Sequence, residues 1–264
     1  MNIAVDKAIE LARGSYISQC GLMRLDLEDK RNVTVGNYLV NTVKNENGIL
    51  FLSVFYVLLD LLGLRPREAI IDDVSETIKK LEVKPGLYRR NVYPNDTRYE
   101  AHDNYIGVIA LSMMFDFPYA IDIAVYGERS GYNYNNVVPG SWRLQQQRQP
   151  GETAFYKLVA GFRPGLIEYA WLCAGFIINI FRLRRDASVD QLTWLRLFSL
   201  RKSFGRFPEF HGPMRLVLIG IMAIWRWRFK RKYVTVSTLM RSYYNDKDHP
   251  INRLSECLSE NVVF

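Results

Sequence analysis

Residues 49–59, ILFLSVFYVLL, carry no charge and place a large apolar side chain at nearly every position of a helical turn. Asn45, Glu46, Asn47 and Gly48 stand immediately before this run and Gly63 follows it, residue types that start and stop helices. A helix that is apolar on almost all sides has to be surrounded by other elements. The run is too short to cross a bilayer, which takes about 20 apolar residues. The rest of the chain must therefore wrap it.

The remaining periodicity is helical too. Ala8, Leu11 and Ala12 share one face of a helix expected from Val5 to about Met23, with a polar turn, LEDKRN, after it. Pro66 suits the first turn of a helix bearing Ile70, Val74, Ile78 and Leu81, which Lys84-Pro85-Gly86 stops. Ile106, Ile109, Ala110, Met113 and Phe117 form another stripe, with Asp103 or Asn104 expected as its cap and Pro118 as its stop. Phe155, Leu158, Val159 and Phe162 mark the next helix, and further ones are expected over 166–184, 189–200, 214–232 and 236–243, before a short tail. No convincing run of alternating strands appears. The class expected is all-α: one helical domain over 1–264 with about ten helices as successive antiparallel hairpins, either bundled or closed into a ring. Between 126 and 151 a long loop rich in Gly, Asn, Gln and Tyr interrupts the pattern, and long loops in compact domains usually carry function.

The net charge of +8 is unevenly placed. Residues 1–150 hold 17 Lys and Arg against 18 Asp and Glu, and residues 151–264 hold 18 against 9. Within 182–232 there are 13 basic residues against Asp186, Asp190 and Glu209. Such a segment fits phosphate, an anionic lipid surface, an acidic glycan or an acidic protein; it fits equally well Arg stems that cover apolar helix surface. The apolar stretches 169–181 and 216–225 fall short of a membrane span and are read as buried core helices, with peripheral membrane contact through 216–225, flanked by Arg215 and RWRFKRK, as the alternative. The N-terminus has charges where a secretory signal would need an apolar centre. Cys20, Cys173 and Cys257 are odd in number and far apart, which suggests neither a disulfide framework nor a zinc site and points to a reducing compartment.

Several signatures are missing: there is no phosphate-binding glycine loop, no HExxH, no CxxC and no GxSxG. GERSGYNYNN has glycines but no strand before it. Only His102, His211 and His249 could supply imidazole ligands, so no metal or cofactor is expected.

The densest chemistry lies at helix starts. His102-Asp103-Asn104-Tyr105 offers a general base, a carboxylate to hold its tautomer and an amide to stabilise negative charge; capping by Asp103 or Asn104 is the competing account. Arg89 and Arg90 can clamp a carboxylate or phosphate, or pair with Asp96, Glu100 or Asp103. Asn45 and Glu46 stand at the start of the apolar helix, where a carboxylate benefits from the helix dipole. Trp142, Tyr132 and Tyr134 suggest a stacking platform in the long loop, or rings anchoring that loop on the core. His249 follows the charged turn NDKD, which can return it to the same end as His102.

ENG with the helix after it (46–62), GLYRRNVYP (86–94), HDNYIGVIALS (102–112), QLTWLRL (191–197) and YYNDKDHPI (243–251) together resemble tailed-bacteriophage proteins of unassigned function. The resemblance implies a viral origin and a place in the virion or the host cytoplasm. The hairpin pattern is also similar to the (α/α) toroids of glycan lyases and glycoside hydrolases, at the level of fold alone. On that likeness a lyase would use Arg90 or Asn104 against a uronate carboxylate and His102 or Tyr105 as base. A hydrolase would use Asp103 with Glu46.

Two functions are therefore expected. The first is a glycan-directed protein whose site gathers Glu46, His102 and Asp103 as catalytic groups, with Asn45, Arg89, Arg90, Asn104, Tyr105, Trp142 and His249 around the substrate. The second is a non-catalytic virion or accessory protein that meets other virion proteins, DNA, an acidic partner or a membrane surface through its basic second half.

Overall fold

The computed structural model describes residues 3–64, 66–93, 102–130, 150–181, 187–212, 214–232 and 235–258. Its helices are α1 (Ile3–Leu11), α2 (Gly48–Leu61), α3 (Glu68–Leu81), α4 (His102–Phe115), α5 (Tyr119–Arg129), α6 (Pro150–Val159), α7 (Leu166–Phe181), α8 (Ala187–Arg206), α9 (Pro208–His211), α10 (Met214–Lys232), α11 (Val236–Arg241) and α12 (Pro250–Glu256). The all-α class is as expected.

The apolar run is the centre. Every residue of α2 from Gly48 to Leu59 is buried. It packs against α4, which in turn packs against α8, while α12 covers α2 from another side. The α2–α4 crossing is close because Gly107 has no side chain: a Cβ there would lie 3.0 Å from the Leu50 Cα and 3.1 Å from the Ile49 carbonyl. Gly151 does the same for α6 against α7, with the Leu172 Cα 3.0 Å away. Consecutive helices meet at α4–α5, α5–α6 and α6–α7, but the α2–α4, α4–α8 and α1–α12 contacts skip along the chain. One cluster of buried apolar side chains runs from Val5 to Leu258.

Four expectations need correction. The first helix stops at Leu11, a π-helical turn follows over Ala12–Tyr16, and Ile17 then bridges Met23 as extended chain. Two small antiparallel hairpins occur where no strands were expected, β1 (Arg31–Val35) with β2 (Tyr38–Thr42), and β3 (Glu82–Lys84) with β4 (Leu87–Tyr88). Their turns use Gly36 and Gly86, both at positive φ. With five residues or fewer per strand, any alternation in them is too short to stand out in the sequence. Tyr126–Arg129, assigned to the loop, completes α5. Finally, α8 runs on to Arg206, beyond the expected end at Leu200.

Candidate functional site

The segment leading into α2 is bonded to residues 88–93, and several of the polar side chains there bond backbone. Asp29, itself buried, accepts from the Asn45 amide through one carboxylate oxygen and from the Leu25 amide at 3.0 Å through the other. The Val43 carbonyl accepts from the Tyr93 hydroxyl at 2.6 Å and from Asn91 Nδ2 at 3.3 Å, and Asn91 Oδ1 accepts from Thr42 Oγ1 at 3.3 Å. Backbone donors and acceptors removed from water must be satisfied locally, and here side chains satisfy them where no helix or sheet does.

Three of the expected site residues do meet. Arg90 Nη1 lies 3.4 Å from the Glu46 carboxylate, with both side chains largely buried. Asn104 Nδ2 donates to the Glu46 carbonyl at 2.9 Å. Asn104 is fully buried and sits inside the first turn of α4, so it is not the cap of that helix but the link from α4 to the chain entering α2. Tyr105 is buried as well, and its phenol oxygen accepts from the Tyr88 amide at 3.3 Å. That contact corrects its expected role as an accessible base. Asp103 is half-buried at the start of α4, Asn45 is half-buried, and Arg89 is exposed while its amide donates to the Leu81 carbonyl at 2.7 Å. Asn47, at the cap position of α2, makes no side-chain cap bond. The His102 side chain, Trp142, Tyr132 and Tyr134 lie outside the described residues.

His249 does not join this group. Its ring is fully buried, stacked on Tyr244 at 4.5 Å between centroids and edge-on to Tyr16 at 4.7 Å. Nδ1 accepts from the Ile251 amide at 3.2 Å, which leaves the proton on Nε2, 2.9 Å from the Arg24 carbonyl. Burial pushes its pKa down to about 4, against the opposing pull of the Arg24 carbonyl and of Asp246 and Asp26. The Tyr16 hydroxyl donates to Asp246, and Asn252 Nδ2 donates to the Asp246 carbonyl at 2.6 Å. The expected substrate contact is corrected: His249 is a neutral core histidine that pins the last helix to the N-terminal segment. Among the described residues no three His, Cys, Asp or Glu side chains form a metal-binding group.

The second half holds a different feature. On α7, Leu166, Ile167, Trp171, Ile177, Ile178 and Phe181 are exposed, and on α10, Leu216, Val217, Ile219, Ile224 and Trp227 are exposed. These eleven are most of the eighteen exposed large apolar side chains among the described residues, and α7 and α10 pack side by side. The expectation that 169–181 and 216–225 are buried core helices is thus corrected in part. Each helix buries one stripe, such as Leu218, Ile221, Trp225 and Phe229 of α10, and presents a second apolar stripe outward. The cations gather at the end of α10: Arg226, Lys230 and Arg231 are exposed, and the Arg231 guanidinium lies 5.2 Å from the Trp227 ring. No acidic residue occurs in α10. The flanking basic clusters were the sequence signal for this face; its exposure was not readable, because two apolar stripes on one helix look the same as a helix buried all round. No helix among the described residues is long and apolar enough to cross a membrane.

No family model, curated protein or solved structure matches the chain, so the likenesses to tailed-phage proteins and helical toroids gain no support from comparison.

Proposed function

We propose that this is a non-catalytic docking protein whose α7–α10 face lies on an anionic lipid surface. The observation that carries the reading is a pairing of features: exposed apolar side chains on two helices that pack together, and exposed cations with a tryptophan at the end of one of them. Contiguous exposed apolar surface marks an interaction site. Apolar side chains reach the acyl boundary while Lys and Arg meet headgroup phosphates, and Trp favours the boundary itself. Nucleic acid would match the cations and leave the leucines and isoleucines in water. A second copy of the chain set face to face would oppose one basic segment with another where the α10 helices run parallel, and where they run antiparallel α10, which holds no acidic residue, would offer those cations no partner.

A glycan-directed activity at Glu46, Arg90 and Asn104 has less support, since Asn104 and Tyr105 are buried and bonded to backbone.

Vesicle sedimentation tests the reading. The protein is expected to sediment with phosphatidylglycerol-containing vesicles and to stay in solution with pure phosphatidylcholine. Replacing Arg226, Lys230 and Arg231 together by Ala should weaken binding by roughly 100-fold at about 1 kcal/mol per cation. Equal sedimentation with neutral vesicles, or a dimer in solution that binds neither, overturns it.

A further inference from the structure

Next to the exposed face lies a cleft of about 420 Å³ between α6, α7 and α8. Apolar side chains make up the larger part of its walls, Phe155 from α6, Leu172 and Phe176 from α7, and Val189 and Leu192 from α8, with Asn179 and Thr193 as neutral polar groups among them. The charged groups in it, Glu152 and Arg196, pair with each other at 3.3 Å across α6 and α8. The pair cancels within the cleft, so its walls carry no net charge and their apolar part suits an uncharged apolar body. The volume falls in the range of small-molecule sites, about 300–1,000 Å³.

Two details say more about the occupant. Gly175 opens the cleft, since a Cβ built there meets nothing within 4 Å. Trp171 and Ile178 line the cleft and are also half-exposed on the outer face of α7, so the cleft and the lipid-facing surface share an edge. An apolar chain leaving a lipid surface would reach the cleft without crossing water.

We propose that the cleft binds a single long alkyl chain. Only the source of the chain, a lipid at the docked surface, rests on the lipid-surface reading. The cleft itself would take a free fatty acid in solution.

The test uses the full chain and a fluorescent polyene fatty acid. Saturable binding of one chain per protein is expected, and Gly175→Met, which fills the open space from a helix position that accepts a longer side chain, should weaken it at least tenfold with the thermal melt unchanged. The same variant should still sediment with anionic vesicles, while the Arg226, Lys230 and Arg231 triple variant should bind the fatty acid as the parent does. The two readings therefore fail separately. Competition by an unlabelled fatty acid alone identifies a free acid as the ligand, and competition by a lysophosphatidylglycerol of equal length as well identifies a lipid chain. Binding that does not saturate, that Gly175→Met leaves unchanged, or that neither competitor displaces overturns the proposal, because the probe would then be adsorbed on the outer faces.

Discussion

Single residues in this protein act mostly by satisfying backbone at a distance in sequence. Asn104 reaches back 58 positions to the Glu46 carbonyl and is fully buried. Asn104→Ala leaves that carbonyl without the bond, so a loss of about 1–3 kcal/mol in denaturant unfolding is expected. His249 works in the same way and adds a pH dependence. Its folded pKa is about 4 against an ordinary 6.5, so the unfolded chain takes up a proton that the folded chain refuses. The stability from the neutral ring is present above pH 6.5 and is lost as pH falls from 6.5 towards 4, by at most about 3 kcal/mol. Unfolding measured between pH 4.5 and 7.5 should show a slope that His249→Phe, although less stable at pH 7.5, reduces. Nothing in the neighbouring sequence NDKDHP announces this burial. The turn looked fit to bring His249 to a surface site, but the pocket around the ring is built by Tyr16 and Arg24 from the other end of the chain.

At the scale of elements, α2 was legible and α7 and α10 were only half so. An apolar residue at every angle of a helix leaves one solution, complete burial, and α2 has it. Its crossing with α4 depends on Gly107, where a side chain would press on the Leu50 and Ile49 backbone from 3.0 Å and 3.1 Å. Gly107→Val should therefore destabilise by about 1–3 kcal/mol through overpacking, read as a lower denaturant midpoint with an unchanged slope. On α10 the same apolar abundance has a different outcome, because α7 covers one side and nothing among the described residues covers the stripe through Leu216, Ile219 and Ile224. Replacing Leu216 and Ile224 by Ser should leave stability within about 0.5 kcal/mol, as for other exposed positions, and should lower vesicle binding. A large loss of stability would mean that these residues are core after all. The two hairpins were illegible for a plainer reason: strands of five residues or fewer are too short to set a pattern in their sequence.

For the molecule as a whole, α1 and α12, the first and last described helices, pack on each other, and the core is continuous from Val5 to Leu258. Truncation before α12 is expected to expose α2 and abolish cooperative unfolding, as followed by the loss of a single thermal transition. The charge asymmetry also belongs to this scale. High salt should weaken vesicle binding without abolishing it, because screening acts on the cations of α10 and not on its apolar face.

The sequence by itself determined the all-α class, the central helix and the basic second half, because periodicity, helix stops and charge are local properties that survive without neighbours. Tertiary structure alone decided which apolar stripes stay outside and which polar groups bond backbone. The reason is physical: exposure of a side chain depends on what packs over it, and in this protein the packing partners, such as Tyr16 over His249 or Leu50 under Gly107, come from segments far away in the chain.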